Sequence, residues 1–211
     1  NLLKNKGLKP GIVSRGYKSS SSKFPLDVSE QTNVSASGDE PKLIFNQTQC
    51  PTVISPDRVE AAKFLLKKHN CDVIISDDGM QHYKLHRDIE VALVDGFRKF
   101  GNGFTFPAGP LREPLKRLRE VNYIINTNKF YAEEENLSDK DILMTYEPVS
   151  WVRLTSGEER KIEDWPHEKL VYAVAGIANP NNFFSTLRNL GFEVIENSFP
   201  DHHTCLLYTS P

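Results

Sequence analysis

The sequence predicts an α/β protein: a mostly parallel sheet domain followed by a smaller α/β unit. Short apolar strands alternate with helical segments over residues 1–130, an order typical of parallel βαβ units. That order breaks over residues 131–155, where polar sequence and an alternating strand pattern predict a linker with hinge strands. Strand and helix patterns return in residues 156–211. With 211 residues, 38% of them hydrophobic, the chain can bury a core.

Local patterns define the elements of the first part. Leu2–Lys6 has helical spacing, and Gly7 follows it as a helix end. Val59–His69 is amphipathic, with apolar residues at positions 61, 62, 65 and 66. Val73–Ile75 is a β-branched run, which predicts a strand buried on both faces. The remaining predicted elements are a strand at Gly11–Ser14, a flexible loop or ragged hairpin from Ser19 to Ser37, a helix start at Gly38–Pro41, a strand at Pro51–Ser55, a buried strand at Glu90–Asp95 and a strand at Val121–Asn126.

The second part has its own strand and helix patterns. Trp151–Leu154 alternates and predicts an antiparallel strand, whereas Leu170–Ala175 is a more apolar strand. Pro180 suits the first position of a helix, which we expect to continue over Asn181–Leu190. Phe192–Ile195 follows as the next strand. These elements predict a small α/β unit.

Composition narrows the classes of function. The net charge of -2 gives no argument for binding nucleic acid, and we expect no such partner. The three cysteines, Cys50, Cys71 and Cys205, lack metal-ligand spacing and suit a reducing compartment. No apolar run approaches the roughly 20 residues that span a bilayer.

An acidic turn follows the Val73–Ile75 strand. Asp77, Asp78 and Gly79 come just after Ser76, at the carboxyl end of this strand. Ligands of open parallel sheets bind beyond the carboxyl ends of strands. Two carboxylates there can hold Mg²⁺, or one can take a proton from an attacking hydroxyl. An ordinary Asp-Gly turn with solvated acids explains the same residues.

Three further segments carry candidate groups. Arg15 and the following glycine lie at a strand end, where they can approach a phosphate or form a plain turn. Leu115–Glu120 predicts a basic helix that can face anionic lipid, or simply solvent. Asp201, His202 and His203 offer a carboxylate and two imidazoles for a metal or for acid–base chemistry, although such a cluster is also common in surface turns.

Taken in order, the motifs resemble the tetraacyldisaccharide 4'-kinase family of Gram-negative bacteria. Two stretches are specific: Ser-Asp-Asp-Gly-x-Gln and Pro-Ala-Gly-Pro-Leu-Arg-Glu. The resemblance covers the chain to about residue 203. The matching stretches are Val13–Tyr17, Gly38–Pro41, Ile75–His82, Arg87–Asp88, Val94–Gly96, Gly101–Gly103, Pro107–Pro114, Gly176–Pro180 and Phe199–His203.

The resemblance implies a P-loop NTPase-like domain joined to a smaller α/β domain by a two-stranded linker. It implies an enzyme that uses ATP and Mg²⁺ to phosphorylate the 4'-hydroxyl of the lipid A disaccharide precursor. It further implies a location at the cytoplasmic face of the inner membrane, and we expect a monomer.

The resemblance also assigns roles to residues. Asp77 matches the acid that deprotonates the sugar hydroxyl, and His202 matches its partner. Asp78 and Gln81 would lie beside the metal and the phosphates, and Asp77 is a second candidate metal ligand. The candidates for holding phosphate oxygens are Arg98, Arg112 and Arg15.

Two features depart from the family pattern. The sequence contains no Gly-x-x-x-x-Gly-Lys-Ser/Thr phosphate loop, which in the family precedes the helix that opens here at Asn1. The tail Thr204–Pro211 does not resemble the family either. We therefore expect a piece of a longer kinase, with little activity by itself because ATP lacks its phosphate cradle.

Two other functions fit the same residues. A metal-dependent phosphohydrolase could use Asp77 and Asp78 together with the Asp201–His203 cluster. A non-catalytic nucleotide- or lipid-binding module would need the acids only as turns. Release of phosphate without a lipid acceptor would favour the first of these alternatives.

Overall fold

A computed structural model describes residues 1–96, 99–127, 139–165 and 168–201 of the chain. The chain divides into two compact units, Asn1–Thr145 and Tyr146–Pro211. The helices are α1 (Leu2–Asn5), α2 (Val34–Ser37), α3 (Asp39–Thr48), α4 (Arg58–His69) and α5 (Pro180–Asn189). The strands are β1 (Pro10–Ser14), β2 (Leu26–Val28), β3 (Thr52–Ile54), β4 (Val73–Ser76), β5 (Val91–Asp95), β6 (Tyr123–Thr127), β7 (Asp141–Met144), β8 (Ser150–Val152), β9 (Glu159–Lys161), β10 (Leu170–Ala175) and β11 (Glu193–Ser198).

A four-stranded sheet forms the centre of the first unit. Its strand order is β2-β3-β1-β4; β1 runs parallel to β3 and β4, while β2 is antiparallel to β3. Val13 of β1 lies opposite Val53 on one side and Ser76 on the other. Ala61 and Leu65 of α4 pack against these valines in the core. Complete burial of a side chain such as Leu65 is worth roughly 1.5–3 kcal/mol.

The first unit also contains a parallel three-stranded sheet, in the order β5-β6-β7. The prediction of a mixed α/β fold with mostly parallel strands is thus confirmed. The expectations that β4 is buried on both faces and that β5 is buried are wrong, since Ile75 is 43% exposed and Leu93 is 63% exposed. Both strands lie at the edge of their sheets in the described part of the chain, so each lacks a neighbour on one flank.

The segment from Ser19 to Ser37, predicted as a flexible loop or ragged hairpin, contains a strand that pairs outside the segment, β2, and a short helix that was not predicted, α2. Lys42 of the following helix donates hydrogen bonds from its ammonium group to the carbonyl oxygens of Ser29 and Glu30, at 2.7 and 2.8 Å. Long-range contacts of this kind order a polar segment without leaving a local sequence signal.

The second unit contains two pairs of strands. β8 and β9 are antiparallel, in agreement with the alternation at Trp151–Leu154, and β10 and β11 are parallel. Phe184 and Leu187 of α5 pack beside Phe192, which follows that helix. Trp151 and Trp165 extend this cluster, with ring centroids 4.7 Å apart. No helix in the described ranges combines the length and apolar character needed to cross a bilayer.

Candidate functional site

The acidic turn lies at the carboxyl edge of the four-stranded sheet. Because β1 and β4 are parallel, their ends bring Ser14 next to Asp77. The Asp77 amide donates to the Val13 carbonyl oxygen at 2.9 Å, and Ser14 Oγ donates to Asp77 Oδ2 at 3.1 Å. The backbone and the carboxylate of Asp77 are therefore both held against β1.

Arg58 lies beneath this turn although the sequence analysis did not select it. It opens α4, its side chain is only 2% exposed, and Nη2 donates to the Asp77 carbonyl oxygen at 2.9 Å. Its buried Nε and Nη1 atoms have no hydrogen-bond partner among the described residues. Burial lowers the pKa of Arg58, while the carboxylates of Asp77 and Asp78 oppose that shift. A charged residue in the first turn of a helix is usually solvated, so the sequence around Arg58 did not indicate that its side chain is buried.

Asp78 points in a different direction from Asp77. Its backbone is left-handed, with φ 45°, a conformation that aspartate tolerates better than most residues. Arg112 Nη1 lies 3.2 Å from Asp78 Oδ2, and both side chains are about 70% exposed. A Cβ atom at Gly79 would come within 2.9 Å of Ser76 Cβ, so this tight turn needs its glycine. Adjacent carboxylates thus have separate environments.

Gln81 and Glu113 join the same two segments. Gln81 Nε2 donates to Glu113 Oε1 at 2.9 Å, beside the contact between Asp78 and Arg112. The structure therefore brings together four of the predicted residues. They are Asp77, Asp78, Gln81 and Arg112.

The other predicted site residues are either exposed nearby or outside the described part of the chain. Arg15 is exposed after β1, close enough to affect the titration of Arg58 and His82. Arg98 and His202 lie outside the described residues, so the expected pairing of Asp77 with His202 stays a prediction.

Asp39 is a further carboxylate near this edge. It follows Gly38, whose φ is 85° and where an added Cβ would lie 2.7 Å from the Tyr17 carbonyl oxygen. This close approach places the start of α3 against the turn that follows β1. The Gly-Asp-Glu-Pro pattern supported the resemblance, yet Asp39 was not chosen as a site residue.

His82 lies within the field of the basic side chains at this edge. Burial lowers its pKa, and the guanidinium groups of Arg58 and Arg15 lower it further, so the imidazole is neutral at pH 7. The edge therefore holds its positive charge on arginines.

A cavity of about 230 Å³ lies at the carboxyl end of β5, beside Arg112. Leu93, Phe100 and Leu111 form part of its apolar wall, and Arg112 and Glu113 provide polar groups. Sites for small molecules commonly combine an apolar wall with a few polar side chains.

The donor set fits Mg²⁺ only in the manner of kinase sites. Within the described ranges, no cluster of three or more His, Cys, Asp or Glu residues could hold a metal ion by itself. Mg²⁺ in kinases is usually held by one or two carboxylates together with substrate phosphates and water. Asp77 and Asp78 supply carboxylates of that number and type.

Comparison with known proteins identified related sequences over nearly the whole chain. The model of the family described as tetraacyldisaccharide-1-P 4'-kinase matches residues 1–206. Proteins named tetraacyldisaccharide 4'-kinase from Legionella pneumophila (strain Corby) and Vibrio cholerae serotype O1 (strain ATCC 39541) are each 45% identical over 95% of this chain. The chain spans 59% and 57% of these two relatives.

One solved structure has the same fold. It is LpxK from Aquifex aeolicus, described as an "apo" form in complex with ATP, with a TM-score of 0.75 and 32% sequence identity. The match covers 100% of this chain and 68% of that chain.

Proposed function

The chain belongs to the tetraacyldisaccharide-1-P 4'-kinase family, and we propose that the whole protein transfers the γ-phosphate of ATP to the 4'-hydroxyl of a tetraacylated glucosamine disaccharide 1-phosphate in lipid A biosynthesis. The observation that carries this proposal is the family match over residues 1–206, which includes the whole acidic turn. The names of the relatives and the ATP complex of the solved LpxK support it. They do not favour a phosphohydrolase or a non-catalytic module.

In the proposed mechanism Asp77 is the general base. It accepts the proton of the 4'-hydroxyl while that oxygen bonds to the γ-phosphorus and the bond to the leaving ADP oxygen breaks. The hydrogen bond from Ser14 and the contact of Arg58 with the Asp77 backbone hold the base in position. We propose His202 as the residue that orients the base, the role that the family resemblance implies.

Arginine side chains neutralise the negative charge of the phosphates in this proposal. Arg112 and Arg15 are exposed at the edge, and Arg58 adds a buried positive charge beneath the turn. Arg98 is proposed as a further phosphate ligand. Phosphoryl transfer depends mainly on positioning and charge neutralisation, which arginines supply. Asp78 and Asp77 would hold Mg²⁺, which neutralises phosphate charge when bound, and Gln81 would donate to a phosphate oxygen.

Neutralising single carboxylates in the full-length protein tests the base. Asp77→Asn should lower kcat by roughly 10²-fold or more, because general-base catalysis contributes 10²–10⁴-fold. Binding of ATP, measured by calorimetry, should change little. The matched variant is Asp39→Asn, which removes another carboxylate near the same edge.

The outcomes separate the residue from the function. A full loss in Asp39→Asn with near-normal kcat in Asp77→Asn would move the base to Asp39 and leave the kinase function intact. Absence of ATP-dependent phosphorylation of the disaccharide by the wild-type protein would refute the function itself.

We further propose that the protein acts as a monomer on the cytoplasmic surface of the inner membrane of a Gram-negative bacterium. Phe104 and Phe106 are 63% and 82% exposed. Their loop approaches the 3₁₀ helix Leu115–Arg119, where Lys116 and Arg119 are exposed. Aromatic side chains beside basic ones favour binding to anionic lipid surfaces. Arg117 does not belong to this basic surface because it is buried.

Sedimentation with anionic phospholipid vesicles tests the membrane proposal. Replacing Phe104 and Phe106 by serine should reduce the bound fraction of full-length protein several-fold, since their apolar area no longer leaves water. Tyr172→Ser, at a side chain that is 74% exposed in the second unit, is the matched control. Equal binding of the two variants to the vesicles would contradict the assigned membrane surface. A dimeric mass in sedimentation equilibrium would contradict the proposal that the protein is a monomer.

A further inference from the structure

A partly buried ion-pair network lies next to the acidic turn. Arg117 is 9% exposed, and its Nη2 atom lies 2.6 and 2.5 Å from the two carboxylate oxygens of Glu90. The hydrogen bonds to Glu90 raise the pKa of Arg117, so it is charged at any physiological pH. Arg87 Nη1 lies 2.8 Å from Glu90 as well. It also donates to the Gly79 and Met80 carbonyl oxygens, at 3.2 and 2.8 Å. Glu90 therefore links the turn to the Arg117 segment.

Tyr83 closes this network on the side of the site. Its hydroxyl donates to Glu113 Oε2, while the other oxygen of that carboxylate accepts from Gln81 at 2.9 Å. The guanidinium groups of Arg87 and Arg117 lie 5.4 and 5.9 Å from its ring centroid, within the range of cation–π attraction. The hydrogen bond to Glu113 raises the pKa of Tyr83, so the phenol keeps its proton at neutral pH.

The Tyr83 hydroxyl contributes little as a packing group. The side chain is 62% exposed, so its contribution to the core is small. Its hydroxyl instead contacts a carboxylate whose second oxygen holds Gln81 and whose neighbour, Arg112, pairs with Asp78. Movement of Glu113 would therefore disturb its hydrogen bond with Gln81 and, through the adjacent residue, the contact of Arg112 with Asp78.

We propose that Tyr83 is a positioning residue, which fixes the Glu113 carboxylate so that Gln81 and Arg112 face the phosphates of ATP in one arrangement. This inference rests on the proposed kinase function. Tyr83 acts through Glu113 and takes no part in proton transfer. Correct placement of groups around the reacting phosphate can change turnover strongly even when they do not react.

Kinetics of Tyr83→Phe in the full-length protein test this role. The substitution removes one hydroxyl and keeps the ring beneath the two arginines. We expect kcat to fall about tenfold, the effect of one hydrogen bond to a charged group, with the KM for ATP changing less than about twofold. Tyr123→Phe makes the same chemical change on β6, where the side chain is 44% exposed, and should leave both constants unchanged.

A double-mutant cycle separates positioning from a general structural effect. If Tyr83 acts through Glu113, the variant carrying both Tyr83→Phe and Glu113→Gln should be no slower than Glu113→Gln alone. Losses of kcat that multiply would overturn the proposal. So would a kcat loss in Tyr83→Phe that disappears when rates are corrected for the folded fraction measured by circular dichroism.

A spectroscopic measurement distinguishes failure of this inference from failure of the kinase function. In ¹⁵N-labelled protein, the side-chain amide signal of Gln81 should shift in Tyr83→Phe and stay in place in Tyr123→Phe. An unmoved Gln81 signal would overturn the positioning role. A wild-type protein without phosphoryl transfer would overturn the kinase function, while the Gln81 signal would still report on Tyr83.

Discussion

The two edges of the four-stranded sheet differ in how their charged side chains are buried and paired. At the carboxyl edge, Arg58 is almost completely buried, and two of its nitrogen atoms have no hydrogen-bond partner in the described part of the chain. At the amino edge, Asp27 accepts from Lys68 at 2.7 Å and contacts His69 at 3.0 Å. One edge buries a guanidinium beside two acids, whereas the other pairs its carboxylate with exposed or half-buried side chains of α4.

This difference identifies the functional edge better than cavity size does. The cavity near the amino edge, lined by His69, Cys50 and Cys71, measures about 360 Å³, which is larger than the 230 Å³ cavity beside Arg112. Burying a charged guanidinium is expensive, so the burial of Arg58 beneath the acidic turn is the feature that sets this edge apart. A buried positive charge at this place suits a ligand that carries negative charge.

Replacing one basic side chain at each edge should give the largest difference in kinetics and stability between the two edges. Arg58→Met is expected to lower kcat/KM for ATP by at least tenfold, because it removes a buried positive charge beneath the phosphate site. It should also cost about 1–3 kcal/mol of unfolding free energy, since the Asp77 carbonyl oxygen loses its donor. Steady-state kinetics and urea unfolding measure the two effects.

Lys68→Met is the matched change at the amino edge. The Lys68 side chain is 55% exposed, so loss of its ion pair with Asp27 should change the unfolding free energy by less than about 1 kcal/mol and leave kcat/KM unaltered. Equal kinetic losses in both variants would remove the distinction between the edges.

A smaller effect should appear in the pH dependence of stability. The pKa of His82 is lower in the folded protein than its ordinary value of about 6.5. The contribution of neutral His82 to the free energy of unfolding is therefore complete above about pH 6.5. It is lost as the pH falls through the pKa of the folded state, because the unfolded chain binds the proton at a higher pH. Below pH 6.5, unfolding free energies from urea titrations should fall less steeply for His82→Gln than for the wild type.

An NMR titration of His82 assigns the cause of that shift. In Arg58→Met the imidazole should titrate at a higher pH than in the wild type, because one of the neighbouring positive charges is gone. An unchanged titration midpoint would show that Arg58 does not act on His82, and the positive field assigned to this edge would have to be revised.

Local sequence patterns predicted several elements of the first unit closely. The helical spacing of Val59–His69 and the apolar run at Val73–Ile75 predicted α4 and β4 to within about one residue. Such patterns report what a segment buries, but not which strand becomes a sheet edge. Ile75 and Leu93 are exposed although each belongs to an apolar run, and both strands lie at a sheet edge in the described part of the chain. Strand order and the covering of a sheet face both depend on distant segments.

The acidic turn was predictable because its residues are adjacent in the sequence and follow a strand. The contacts of Glu113 and Arg58 were not predictable, for the opposite reason. Glu113 reaches Gln81 across 32 positions, and Arg58 reaches Asp77 across 19. A single sequence gives no signal for such pairs, since each member taken alone predicts a solvated charge.

The left-handed backbone at Asp78 turns the side chains of two adjacent aspartates, Asp77 and Asp78, toward different surroundings. Asp77 turns inward to the hydroxyl of Ser14, and Asp78 turns outward to the guanidinium of Arg112. The two acids are therefore held by different partners, although both carboxylates act on the charge of Arg58. Their order along the chain is fixed, because of the two only the second has the left-handed backbone.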